Sequence, residues 1–223
     1  MKKVNIAINT RNTFLRESLV SVVNELISRS GNLKVAFSYK HNDFLDKDII
    51  IAEVLPGEIY LCNTSIKNRK KNSSVIILHS YDKLPEKELI VNCLKGVIFV
   101  SIKSVNIDEM FEIIAQELKR SEILPDAQSS NSTLVCTHCP HKMLSKSQAA
   151  VATGIIDGFD IIKISALNKV TPKTITWHKS KIMEKYRLNN NHDFFQFINL
   201  LKERGKLALC PPVSAFCTLK LGI

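Results

Sequence analysis

The first 125 residues alternate between short apolar runs and longer stretches with helical periodicity. Apolar residues recur at helical spacing from Phe14 to Ile27, and Gly31 follows as a stop signal. Short apolar runs predict strands at residues 4–8, 33–39, 59–62, 75–78 and 97–100. The run 49–55 is ambiguous between strand and helix, and further helices are predicted at 85–94 and 107–118. This half of the chain therefore alternates strand and helix.

Short, fully apolar strands separated by helices are typical of a parallel sheet that is covered on both faces. With about five such strands, residues 1–125 are predicted to form a doubly wound α/β domain with flavodoxin-like order. The strand ends carry no Gly-rich phosphate loop and no recognisable Ser/His/Asp set. An enzyme is therefore not expected, and neither is a cofactor.

The second half of the chain has a different pattern. Residues 126–139, which are mostly small and polar, are interpreted as a linker. Residues 140–205 are predicted to form an all-α domain of four helices, and residues 206–223 a C-terminal tail. Ser145 is a predicted N-cap, and Gly158 ends the first helix. Thr171 followed by Pro172 is a strong start signal for the third helix.

The third helix has an apolar face and a polar, basic face. Ile175 and Ile182 lie seven residues apart on the inner face, and Thr176, Trp177 and Ser180 point away from them. A short helix, a tight turn and a basic helix form a helix-turn-helix, whose second helix enters the DNA major groove. The predicted DNA-binding residues are Lys173, Thr174, Thr176, Trp177, His178, Lys179, Ser180, Lys181 and Lys185. The alternative is a solvated basic surface with no ligand.

Charge supports a polyanionic partner. The chain has 31 Lys and Arg against 21 Asp and Glu, a formal net charge of +10. Residues 126–223 carry 13 basic against 6 acidic residues, so the smaller half holds most of the excess. No apolar run reaches the ~18 residues of a membrane span, and no export signal is evident. A cytoplasmic protein with free thiols, acting away from membranes, is expected.

The segment 8–19 resembles the first strand and helix of response-regulator receiver domains of the FixJ/NarL class. In that family an acidic pair holds Mg²⁺, and an aspartate after strand three accepts the phosphoryl group. The resemblance places Thr10 and Arg11 at the acidic pair and Asn63 at the acceptor. Val100 falls on the family's lysine, and His79 or Ser80 on its hydroxyl residue. These departures imply a degenerate phosphorylation pocket that is not used in the ordinary way.

Residues 144–203 resemble the LuxR/FixJ-type DNA-binding domain, through the opening Leu144-Ser145, the Asp157-Gly158 stop and the run from Lys173 to Ile182. Asn168 and Lys169 depart from its turn, where asparagine tolerates unusual backbone angles. Together with the degenerate receiver, this resembles auxiliary regulators of the RcsA type. The resemblance implies a DNA-binding transcription regulator that acts as a homodimer, or as a heterodimer with an Rcs-type response regulator, with RNA polymerase as a further partner.

Two alternatives stay open. One is a protein-interaction adaptor with little DNA binding of its own. The other is a thiol- or zinc-responsive regulator, because the cluster Cys136, His138, Cys139 and His141 has the ligand types of a zinc site. So tight a loop strains tetrahedral geometry, and Cys210 and Cys217 match no zinc ribbon. No metal site is therefore assigned.

Overall fold

The computed structural model describes residues 2–30, 33–40, 43–123 and 139–207. The chain divides into two compact units. The first contains Met1–Val54 and Cys62–His141, and the second contains Leu55–Leu61 and the chain from Lys142 onward. None of the described helices is both long and apolar enough to cross a membrane.

The first unit is built on a five-stranded parallel sheet. The strands are β1 (Lys2–Asn9), β2 (Leu33–Ser38), β3 (Ile49–Glu53), β4 (Ser74–His79) and β5 (Ile98–Ser101). Their order is β2-β1-β3-β4-β5, with parallel pairing throughout. This is the flavodoxin-like order, so the predicted fold class is confirmed. The ambiguous run 49–55 contains a central strand, and its isoleucines are buried because both faces of the sheet are covered.

Helices cover this sheet. They are α1 (Thr13–Ser30), the short α2 (Thr64–Lys67) and α3 (Ile107–Ile123). The main core joins residues of the strands to α1 and α3, including Val23 and Ile114, each 0% exposed. Burying a side chain of this size contributes roughly 1.5–3 kcal/mol, and this core is what fixes the helices on the sheet.

Two predicted elements of this half are wrong. Residues 59–61 are buried and Cys62 is half-buried, but they form no strand, because Gly57 adopts a left-handed conformation (φ 84°) and starts a 3₁₀ turn at Glu58–Tyr60. Residues 85–94 form no continuous helix. They make two 3₁₀ turns, Lys87–Leu89 and Asn92–Leu94, separated by the extended residues Ile90 and Val91. Two adjacent β-branched side chains disfavour a helix at this point.

The second unit is helical: α4 (Lys146–Ile156), α5 (Ile161–Leu167), α6 (Pro172–Tyr186) and α7 (Asn191–Glu203). Side-chain caps begin all four of these helices, at Ser145, Asp160, Thr171 and Asn190. Ser145 forms a full capping box with Gln148, so two backbone N–H groups of that first turn are satisfied. The predicted four-helix arrangement is confirmed.

The segment Leu55–Leu61 belongs to this second unit. The Tyr60 ring lies edge-on to Tyr186 with centroids 6.4 Å apart, and the Tyr60 carbonyl accepts a hydrogen bond from the Lys142 N–H at 2.9 Å. Glu58 pairs with Arg204. Burial raises the pKa of both tyrosine hydroxyls above the ordinary value, so both stay protonated at neutral pH.

Candidate nucleic-acid interface

Helix α6 is held in the second unit by its inner face. Ile175 and Ile182 are 1% and 0% exposed, and Ile175 packs with Val151 of α4 and Ile164 of α5. The Thr171 side chain accepts a hydrogen bond from the Thr174 N–H at 3.2 Å, and Pro172 occupies the first turn. The sequence predictions for the cap and the buried face are confirmed. The helix is therefore fixed both along its axis and in rotation about it.

The opposite face of α6 is open to solvent and polar. Lys173, Thr176, Trp177 and Ser180 are exposed, and Lys181 is partly exposed beside them. At 100° per residue these five positions lie on one side of the helix, away from Ile175 and Ile182. Trp177 leaves 54% of its surface exposed, which is unusual for a tryptophan and places a large apolar group among hydrogen-bonding side chains. We call these five residues the outer face.

The other four predicted residues lie at the flanks of α6 and make contacts within the unit. Lys179 donates to the Asn191 side chain at 2.8 Å, and Lys185 donates to the Met143 carbonyl. The Thr174 hydroxyl lies 3.0 Å from that of Thr171. His178 packs edge-on against Trp177 with centroids 5.0 Å apart, and its buried Nδ1 has no hydrogen-bond partner among the described residues. These four residues are thus partly buried and engaged within the second unit, and His178 supports the Trp177 ring from the side.

One acidic residue adjoins the outer face. Glu184 is exposed and accepts a hydrogen bond from Lys181 at 2.6 Å. An exposed ion pair of this kind is worth only about 0–1 kcal/mol, so Lys181 is easily released to a stronger anion. Glu184 is the one acidic residue in the sequence of α6, and it was not among the predicted DNA-binding residues. Its spacing of three residues from Lys181 is the signal that could have identified the pair.

The turn between α5 and α6 contains a strained backbone position. Lys169 has φ 53°, in the left-handed region, whereas Asn168 has φ −89°. The expectation that asparagine would take the unusual angles is therefore wrong by one residue. Asn168 instead donates its side-chain N–H to the Ile164 carbonyl at 2.8 Å and caps the end of α5.

Replacing Lys169 with glycine is expected to stabilise the second unit by about 0.5–1 kcal/mol. The left-handed conformation costs a non-glycine residue roughly 1–2 kcal/mol, and the greater entropy of unfolded glycine offsets about half of that gain. Urea denaturation measures the change. Ala166→Gly is the control, because it places glycine inside α5 and should lose about 1 kcal/mol. Equal destabilisation by both substitutions would contradict the strain at Lys169.

The strand ends of the first unit differ from the predicted phosphorylation pocket. β3 ends at Glu53, and the Thr10 hydroxyl, just after β1, donates to the Glu53 carboxylate. Asn63 lies ten residues beyond the end of β3 and caps α2, accepting the Ile66 N–H at 3.0 Å. The placement of Asn63 after strand three is therefore wrong, since residues 59–62 form no strand. Arg11 is exposed beside Thr10.

Sequence analysis missed Glu53 because the run 49–55 was ambiguous. A glutamate that ends a run of four apolar residues, directly before Val54-Leu55-Pro56-Gly57, is the signal that could have placed it at a strand end. At the neighbouring strand, His79 ends β4 and is 5% exposed. Its Nδ1 accepts the Tyr81 N–H at 3.2 Å, and burial lowers the pKa of the imidazole.

The cysteine and histidine cluster is only partly within the described residues. Cys136 and His138 lie outside them. Cys139 is a free thiol whose sulfur accepts the Asn92 N–H at 3.4 Å, and His141 is exposed. In the described parts of the chain, no three His, Cys, Asp or Glu side chains are grouped so that they could hold a metal ion.

Several solved structures are similar to this chain over most of its length. A complex of the two-component response regulator RcsB with DNA is 17% identical, with 89% of this chain and 98% of the other covered and a TM-score of 0.48. RcsB from Salmonella enterica serovar Typhimurium, bound to the rprA promoter, is 15% identical, with coverages of 88% and 99% and a TM-score of 0.41. Full-length FixJ from B. japonicum is 18% identical, with coverages of 95% and 100% and a TM-score of 0.38. No protein-family model and no curated protein matches the chain.

Proposed function

We propose that this chain is a sequence-specific, DNA-binding transcription regulator that reads the major groove with the outer face of α6. The single observation that carries the proposal is the division of α6 into a fixed inner face and a solvent-exposed outer face. Lys173 and Lys181 supply positive charge, while Thr176 and Ser180 supply hydroxyls that pair with base edges. Trp177 offers apolar contact to a thymine methyl group or a sugar.

The start of α6 supports the same function. The N-terminus of a helix carries exposed N–H groups and a partial positive charge, and both attract a phosphate. Thr171 and Lys173 are exposed there, together with Lys169 in the preceding turn. We assign these three residues to phosphate contacts, which position the protein, and the middle of the outer face to base contacts, which give specificity.

We propose that DNA is bound by a dimer. One recognition helix contacts few base pairs, and helix-turn-helix proteins gain specificity by placing two helices on half-sites about 34–36 Å apart. The second subunit of the dimer is either another copy of this chain or an Rcs-type response regulator. RNA polymerase is proposed as a further partner.

The proposed regulator does not respond to aspartyl phosphorylation. At the end of β3, where the acceptor would lie, Glu53 already accepts a hydrogen bond from Thr10. Mg²⁺ prefers carboxylate oxygens, whereas Thr10 and Arg11 provide a hydroxyl and a positive charge. Control through protein level or choice of partner takes the place of phosphorylation.

Incubation with labelled acetyl phosphate and Mg²⁺ is expected to leave the purified chain unlabelled. A functional response regulator in the same buffer is the positive control, and intact-mass spectrometry reads the product. A mass gain that survives hydroxylamine is subtracted as background, because hydroxylamine cleaves an acyl phosphate. A hydroxylamine-sensitive mass gain on this chain would contradict the proposal.

The experiment that tests the DNA-binding function is selection of binding sites from a random duplex pool by the purified full chain. An enriched inverted repeat supports a self-sufficient homodimer. Enrichment that appears only after an Rcs-type response regulator is added supports the heterodimer. If neither condition enriches a sequence, while the protein remains folded, the chain is an adaptor and the proposed function is wrong.

Glu184→Gln is expected to strengthen DNA binding by roughly 2–5-fold. The change removes a negative charge beside the outer face and frees Lys181 from its ion pair. Interactions of this kind with an exposed charge are worth about 0.5–1 kcal/mol at low salt. Fluorescence anisotropy with a labelled duplex measures the affinity. Glu112→Gln, an exposed acid on α3 of the first unit, is the charge-matched control and should leave it unchanged. If Glu184→Gln binds the duplex more weakly than the unchanged chain, the placement of the outer face against DNA is contradicted.

A further inference from the structure

The first unit contains a cavity of about 580 Å³ beside β5. Its lining is mainly apolar, formed by Leu84, Pro85, Ile90, Leu94, Val97 and Phe99. Ligand-binding cavities in proteins are typically 300–1,000 Å³ and lined by apolar and aromatic side chains with a few polar groups. The size and lining of this cavity therefore match those of a small-molecule site.

The local backbone explains why the cavity exists. The connection from β4 to β5 makes two 3₁₀ turns, joined by extended residues, instead of one regular helix. Ile90 and Leu94 are 6% and 2% exposed, so the connection is pinned to the core at those two points. A Cβ placed on Gly96 (φ 73°) would have no heavy atom within 4 Å, so this part of the lining is open. The walls of the cavity are thus fixed by buried residues, and the cavity opens to solvent near Gly96.

Charged side chains lie at this mouth. Lys87, Glu88 and Lys95 belong to the lining and are exposed, which gives a net positive rim. Within the described parts of the chain, neither Lys87 nor Lys95 forms an ion pair or a side-chain hydrogen bond. An apolar interior below a rim with two unpaired ammonium groups is complementary to a ligand with a hydrocarbon body and one anionic head.

We propose that this cavity binds a small amphipathic acid, of the class of medium-chain carboxylates, with its chain against Val97 and Phe99 and its carboxylate at Lys87 and Lys95. The site is separate from the outer face of α6, and its test does not depend on DNA binding. It gives the first unit a ligand-sensing role that needs no phosphoryl group.

The test is isothermal titration of the full chain with decanoate, octanoate and decyltrimethylammonium, each below its micelle-forming concentration. Saturable 1:1 binding of decanoate is expected. Each buried methylene is worth about fourfold in affinity, so octanoate, which has two methylenes fewer, should bind roughly 15-fold more weakly. The ammonium compound, which has the same chain and the opposite charge, should not bind. No saturable binding of decanoate, or equal binding of the cationic compound, would overturn the proposal.

Two variants locate the site. Val97→Trp fills the cavity from a half-buried position and should abolish binding, while circular dichroism shows that the fold is kept. Lys87→Gln with Lys95→Gln should weaken decanoate binding at least tenfold. Lys34→Gln with Lys119→Gln is the matched control, because these exposed lysines of the same unit lie outside the lining. Binding that survives Val97→Trp at full affinity, or that falls equally in the control, would place the ligand elsewhere and overturn the assignment.

Discussion

Replacing Ile175 with alanine lowers the free energy of unfolding of the second unit by about 2–5 kcal/mol, which is the usual range for truncating a buried isoleucine. Ile175 is 1% exposed and packs against Val151 and Ile164. These are the contacts that join α6 to α4 and α5, so the cavity left behind loosens the helix that carries the outer face. DNA binding should be lost with it, although Ile175 is buried and does not belong to the outer face.

Urea denaturation of the full chain measures this change, followed by the fluorescence of Trp177, the single tryptophan, which lies two residues away on α6. Ile162→Ala is the matched control. Ile162 is 72% exposed on α5, so the same truncation should stay within about 0.5 kcal/mol of the unchanged protein. Similar losses at both positions would mean that the packing of α6 described above is wrong.

Replacing Lys173 and Lys181 together with glutamine is expected to weaken DNA binding on the order of 10–100-fold at about 0.1 M salt. Each lysine that neutralises a phosphate contributes about 0.9 to the slope of log affinity against log salt concentration. The double variant should therefore bind with a slope about 1.8 smaller in magnitude. If a lysine contacts a base instead, affinity still falls but the slope changes less.

The control variant makes the same change in net charge at a different place on the chain. Lys34→Gln with Lys119→Gln also removes two exposed lysines, one on β2 and one on α3 of the first unit. Both variants lose the same net charge, so any difference between them reports where the lysines lie. The affinity and salt slope of the control should stay close to those of the unchanged chain, because its two lysines lie outside the outer face. If the control loses as much DNA-binding affinity as the outer-face variant, binding depends on net charge alone and no recognition face is defined.

The sequence predicted the inner and outer faces of α6 well because strong local signals agree there. Thr171 and Pro172 define where the helix starts, and that start fixes which residues share a face with Ile175 and Ile182. Once the phase of the helix is known, the exposure of Trp177 follows. The flanking residues could not be sorted in this way, because the contacts of Lys179 and Lys185 depend on where Asn191 and Met143 lie.

The strand ends were harder to predict because buried apolar runs do not reveal their own geometry. Residues 59–61 and 49–52 are both apolar and buried, yet only the second run pairs in the sheet. Periodicity cannot separate a buried strand from a buried turn of this length. That ambiguity placed the predicted end of the third strand next to Asn63 instead of at Glu53, and only strand pairing resolves it. The left-handed angle at Lys169 was equally hidden, since lysine carries no signal for it.

Major-groove binding by α6 is tested most directly by photocross-linking of the full chain to duplexes that contain 5-bromodeoxyuridine in place of thymine. Peptide mass spectrometry then identifies the attached residues. If the outer face of α6 lies in the major groove, cross-links will fall within residues 173–181, with Trp177 as the main acceptor, and Trp177→Ala will remove most of them. Cross-links that fall only in the first unit, or none from a chain that retains the duplex, would contradict the account.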